Sequence, residues 1–161
     1  MVQKSEWQVS KTQVSSDKGM VTTMYPHASE AGIKVLQAGG NAVDAAVAAG
    51  FAIGVVEPFN SGLGGIAVLV YYEAATGKTH VIDGTGTLPA ATRADQFNIP
   101  DSSKISGIYS WPAVQDDANI TGYMSAAVPG TPLCLTTALE KFGSKSRKDV
   151  MASAIDLAER L

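Results

Sequence analysis

Residues 42–55 read as a helix that is apolar on nearly every side, interrupted only by Asp44 at its start. A helix of that kind has to be buried. The stretch is too short to cross a bilayer, which takes roughly 20 apolar residues. It therefore belongs inside a layered core, and Ala45, Ala46, Ala48 and Ala49 let a neighbouring sheet or helix come close. Asn41 sits where an N-cap is needed, and Asp44 follows three residues later in the first turn.

The elements around it follow from the same periodicities. Ala28, Ala31, Gly32, Val35 and Leu36 share one face and predict a helix over 28–38, with Glu30 in its first turn and Gly39-Gly40 as its left-handed exit. Before it, 19–24 is a short apolar run that reads as a strand ended by Pro26. Residues 1–18 are polar, have no clear period and read as a flexible arm; 19–161 form the structured segment. After the buried helix, 57–65 is a loop broken by Pro58, Gly62, Gly64 and Gly65. Strands over 66–72 and 78–82 then form a hairpin. Its first strand has no polar face and is expected to be covered on both sides.

Residues 84–127 carry prolines and many polar side chains without a period, so short irregular elements are expected there. Pro132 opens and Gly143 closes a helix over 131–142. Ser146 and Asp149 have the spacing of a capping box with Asp in place of Glu. The stripe Val150, Ala154, Leu157, Ala158, Leu161 follows without a C-cap, and is expected to need a partner: the rest of a larger protein or a second copy.

The balance of 45% hydrophobic to 17% charged residues provides for a core. A net charge of -3 gives no electrostatic case for nucleic acid, and Lys145, Arg147 and Lys148 read as a solvated helix start. Cys134, the single cysteine, reads as a small buried hydrophobe. His27 and His80 lie too far apart for a zinc pattern, so neither a metal nor another cofactor is expected. No membrane partner is expected either. Residues 1–16 lack the apolar centre of an export signal, which predicts a cytoplasmic location.

Among possible motifs, Gly77-Lys78-Thr79 fails as a phosphate loop, because Tyr72 stands where the first glycine belongs and a strand follows instead of a helix. Ser61-Gly62-Leu63-Gly64-Gly65 reads foremost as a tight connection, with backbone approach to a substrate as the alternative. Asp83-Gly84-Thr85-Gly86-Thr87, at the end of the second hairpin strand, reads equally well as a plain turn or a functional loop. No Gly-x-Ser-x-Gly elbow occurs.

Taken in order, several of these stretches resemble the gamma-glutamyltranspeptidase family. They are Gly39-Gly40-Asn41-Ala42-Val43-Asp44-Ala45-Ala46, Val56-Glu57-Pro58, Ser61-Gly62-Leu63-Gly64-Gly65, Asp83-Gly84, Pro89-Ala90-Ala91, Val128-Pro129-Gly130-Thr131 and Ala154-Ile155-Asp156-Leu157. The resemblance implies an α+β fold, part of a four-layer αββα sandwich of the N-terminal-nucleophile hydrolases and incomplete in this chain. It implies the first part of a large subunit from a self-cleaving precursor. The nucleophile would be the N-terminal threonine of a small subunit outside this chain, attacking a gamma-glutamyl amide such as glutathione. No catalytic residue is then expected here, and the chain alone should be inactive. Its partners would be the remainder of the large subunit, the small subunit and a small-molecule amide, with a homo-oligomer also open.

Substrate-binding candidates are Asp83, Gly84, Thr85 and Gly86. The family pattern carries arginine and glutamate where this chain has Thr85 and Gly86, and that arginine grips the substrate's alpha-carboxylate. The difference favours acylase-like relatives with a non-glutamyl substrate. It also leaves open a non-catalytic binding module on the same scaffold.

Overall fold

The computed structural model describes residues 13–100, 105–106 and 110–160. The elements are α1 (Pro26–Gln37), α2 (Ala42–Val56), α3 (Pro58–Ser61), β1 (Ala67–Glu73), β2 (Lys78–Gly84), β3 (Ile105–Ser106), β4 (Trp111–Pro112), α4 (Thr131–Phe142) and α5 (Arg147–Arg160). Single 3-10 turns lie at Gln115–Asp117 and Tyr123–Ser125. β1 and β2 form an antiparallel hairpin and β3 pairs with β4.

α2 is the centre of the core. Val47 and Ala48 are fully buried, and α1, α4 and α5 supply Ala31, Ala138 and Val150 to the same cluster. Its N-terminus is a complete capping box: Asn41 Oδ1 accepts the Val43 and Asp44 N–H groups, and Asp44 Oδ2 accepts the Asn41 N–H at 2.8 Å. α1 starts two residues earlier than expected, at Pro26, whose fixed φ suits the first helical turn. Glu30 consequently falls outside that turn. Gly39 does take the left-handed exit, at φ 79°.

The second capping box also forms, with the Asp149 N–H donating to Ser146 Oγ at 3.2 Å and the Ser146 hydroxyl donating to Asp149 Oδ2 at 2.6 Å. Ser146→Ala should lower stability by about 1 kcal/mol in urea unfolding, the usual worth of an N-cap.

Four expectations need correction. The α5 stripe is not open: Val150, Ala154 and Leu157 are buried, because α2 offers apolar surface on the side α5 takes. Of the other two residues of that stripe, Ala158 is exposed and Leu161 lies outside the described residues. The hairpin is covered on one face only. Leu69, Tyr71 and Ile82 pack on the helix layer, while Val68, Val70 and Val81 are 58%, 66% and 62% exposed on the other face. α2 itself is not covered all round, since Ala42 and Ala46 are exposed. Lastly, 19–24 forms no regular strand; the described chain has no neighbouring strand to pair with it. The irregular stretch after β2 behaves as its composition predicts, with left-handed backbone at Ser110, Asp116 and Asp117.

Candidate functional site

The end of β2 opens onto the uncovered face of the hairpin. Period-two alternation sends His80, Ile82 and Gly84 toward the helices, and Thr79, Val81 and Asp83 outward. Asp83 lies opposite Val68 in the register, among the exposed valines.

Three backbone segments cross here. Gly84 and Gly130 meet so closely that a Cβ at Gly130 would fall 1.9 Å from the Gly84 carbonyl oxygen. A Cβ at Gly84 would lie 2.5 Å from Cys134 Cβ. The Gly65 carbonyl accepts the Gly130 and Thr131 N–H groups at 3.1 and 3.2 Å. Gly86 is flanked by Ile66 and Val128, and Thr87 bridges to Val128. Residues 83–87 are thus clamped between the glycine-rich loop and the start of α4. Space requires glycine at Gly84 and Gly130; within 61–65 a Cβ at Gly62 would fall 2.9 Å from the Pro58 carbonyl oxygen, whereas one at Gly64 would meet nothing within 4 Å.

Within the loop, Asp83 Oδ1 accepts both the Thr85 N–H, at 2.9 Å, and the Thr85 hydroxyl. The hydroxyl first, then the N–H, hold the Asp83 carboxyl below its ordinary range. The loop therefore presents an exposed anion beside a threonine whose donor is already engaged. Arg93 points elsewhere: its exposed guanidinium forks onto Asp95 at 3.0 and 3.1 Å.

All four candidates, Asp83, Gly84, Thr85 and Gly86, are brought together, but unequally. Asp83 and Thr85 are exposed, Gly84 is buried against Cys134 and Gly86 is half-buried. Burial pushes the Cys134 thiol pKa up, and its Sγ lies 3.7 Å from the Ile82 carbonyl, as suits a packed hydrophobe.

Sequence reasoning placed Asp44 in the first turn of α2 and quoted Glu57 in the resemblance, but missed that both carboxylates are buried anchors. Glu57, 4% exposed, accepts from Asn60 Nδ2 at 3.2 Å and Ser61 Oγ at 3.0 Å, fixing the entry to the glycine-rich loop. The spacing Glu-x-x-Asn-Ser after α2 is the local signal that marks it. Asp44, fully buried, accepts the Ser144 N–H, the Ser144 hydroxyl and the Lys145 N–H besides that of Asn41. Those partners lie about a hundred residues away, and no local pattern announces them.

The family model described as gamma-glutamyltranspeptidase matches residues 28–160. The chain belongs to the gamma-glutamyltranspeptidase family. It is 39% identical over 142 residues to the glutathione hydrolase proenzyme of Bacillus subtilis (strain 168), covering 88% of this chain and 23% of that protein. It is 38% identical over 150 residues to the acylase ACY 1 proenzyme of a Pseudomonas species (strain V22), covering 93% and 26%. The solved gamma-glutamyltranspeptidase of Helicobacter pylori superimposes with a TM-score of 0.77 at 32% identity, over 91% of this chain and 39% of that one. This chain thus spans about a quarter of the length of the curated relatives it matches. The helix layer and hairpin are a segment of the N-terminal-nucleophile hydrolase sandwich, which accounts for the one-sided hairpin.

Proposed function

We propose that these residues are the N-terminal segment of a gamma-glutamyltranspeptidase-family precursor that cleaves or transfers acyl groups from amides. The nucleophile is the N-terminal threonine of a small subunit beyond this segment. That threonine's amine acts as its base, and an acyl-enzyme forms and passes to water or an amino acid. The family match over 28–160 carries this reading, and the word proenzyme in the relatives' names fits a precursor that matures by cleavage. In this role the chain supplies scaffold and one wall of the substrate pocket, centred on Asp83, Gly84, Thr85 and Gly86.

The Asp83–Thr85 pair favours the acylase side of the family over glutathione. A substrate alpha-carboxylate near residue 85 would meet an anion and an engaged hydroxyl, with no cation in the loop. A charge-assisted bond is worth about 1.5–3 kcal/mol, or roughly ten- to a hundredfold in affinity. In the full-length protein, simple acyl amides should be cleaved with a higher kcat/KM than glutathione, and Thr85→Arg should raise glutathione turnover by about that factor. Steady-state kinetics on both forms is the test. Efficient glutathione cleavage by the wild type would overturn the acyl preference, while leaving the threonine mechanism intact.

A further inference from the structure

We propose that the acyl group taken by the complete protein is apolar and uncharged, and that Ile66 and Ala127 select it across a notch left open by Gly86. This rests on the reading of the protein as an amide-cleaving enzyme whose substrate loop is 83–87. Three observations converge on the notch.

The first is what surrounds Gly86. A Cβ at that position would come 3.2 Å from Ile66 Cγ2, 3.2 Å from the Val128 carbonyl oxygen and 3.5 Å from Ala127 Cβ. Gly86 does not take the left-handed backbone that Gly19, Gly39, Gly77 and Gly122 take. The main chain there would admit a side chain, and glycine instead leaves a space between two apolar ones. Ile66 is 63% exposed and Ala127 is exposed as well, so the space opens outward.

The second is where the two walls are fixed. Ile66 lies one residue before β1, past the last pair of the hairpin ladder, Ala67 with Gly84. Ala127 precedes Val128, whose N–H donates to the Thr87 carbonyl at 2.8 Å. The Gly65 carbonyl, next to Ile66, accepts the Gly130 and Thr131 N–H groups. Backbone hydrogen bonds therefore set the spacing of the walls and hold both against the substrate loop. A notch fixed in this way selects by shape without ordering cost on binding.

The third is charge. Asp83 is the one charged residue of 83–87, it is exposed, and Thr85 stabilises its carboxylate. An acyl group ending in a carboxylate would be repelled there. An apolar chain meets no such penalty, and each methylene it buries against the walls is worth about fourfold in affinity.

The test is kcat/KM of the full-length enzyme on the p-nitroanilides of acetic, butanoic, hexanoic, glutaric and 6-aminohexanoic acids. Butanoyl should exceed acetyl by about tenfold or more, from two methylenes at about fourfold each. Glutaryl should fall at least about tenfold below hexanoyl, the loss of roughly one charge-sized interaction. Gly86→Ala puts a methyl into the notch and Ile66→Thr puts a hydroxyl into its wall. Each should lower the butanoyl-to-acetyl ratio by about fourfold or more, and such a ratio does not depend on how much of a variant folds. A flat acyl series in the wild type would overturn the proposal, as would glutaryl being the best substrate. So would 6-aminohexanoyl outpacing hexanoyl, which would move recognition to Asp83, or ratios unchanged in both variants. In each of these cases amide cleavage itself still stands. No cleavage of any of the five anilides would instead overturn the amide reading, and this proposal with it.

Discussion

Replacing Asp44 by alanine should remove about 4 kcal/mol of stability, from four donated hydrogen bonds at roughly 1 kcal/mol each. The donors are the N–H groups of Asn41, Ser144 and Lys145 and the Ser144 hydroxyl, and the carboxylate they converge on is fully buried. The loss is large because this one side chain closes the start of α2 and also ties down the turn between α4 and α5. Asp44→Asn should keep the shape yet still lose much of the effect, since its amide nitrogen faces donors. Acid unfolding gives a second signature. Burial by itself would raise the Asp44 pKa. The Ser144 hydroxyl and the N–H groups of Asn41, Lys145 and Ser144 outweigh it, so the folded pKa lies below 3.8. A lowered folded value means that the contribution is complete above the unfolded pKa of about 3.9 and is lost as pH falls through the folded value. Urea midpoints measured from neutral pH downward should show that acid-sensitive component in the wild type and its absence in Asp44→Asn.

Gly130→Ala should be at least as damaging, and for a different reason. The added methyl would sit 1.9 Å from the Gly84 carbonyl oxygen, fixed rigidly to one backbone segment and overlapping another. No rotamer relieves that overlap; β2 must move off α4. Overpacking of this kind costs about 1–3 kcal/mol where a side chain can yield, and more where only backbone can. The displacement would also shift the clamped loop carrying Asp83 and Thr85. The full-length variant should lose both thermal stability and activity, whereas Gly77→Ala, where a Cβ meets nothing within 4 Å, should show only the modest strain of its φ of 69°. Equal melting temperatures for Gly130→Ala and wild type would contradict the crossing.

The contrast between these two positions and the helix caps shows what a linear reading can reach. Asn41 with Asp44, Ser146 with Asp149 and Pro132 in the first turn of α4 were legible because the chemistry of helix starts is completed within four residues. The hairpin was legible because an apolar run and a second strand-forming run flank a turn ending in Gly77. The second role of Asp44 was not, because it depends on residues brought back by the fold from a hundred positions away. The α5 stripe misled for a related reason: an amphipathic face shows that a partner exists but not which one, and here the partner is α2 of the same chain. At the site, the grouping of Asp83 to Gly86 could be read directly. The engagement of Thr85 by Asp83, and of Arg93 by Asp95, required coordinates, since each side chain had several neighbours within reach.

The hundred-residue reach of Asp44 also sets an order of events on the ribosome. α2 leaves the exit tunnel early, but the covering face of α4 follows only after the hairpin and the long loop, and Ser144 and Lys145, a hundred residues beyond Asp44, and then α5 follow later still. At about 5–20 residues per second, that leaves the most apolar helix of the chain waiting for roughly 5–20 seconds with α1 as its main cover. The nascent segment is therefore a natural client for chaperones that shield apolar helices. A transcript cut short before Thr131 yields a chain whose α2 lacks the Ser144 and Lys145 anchor and the cover of α4 and α5, and such a product is expected to aggregate.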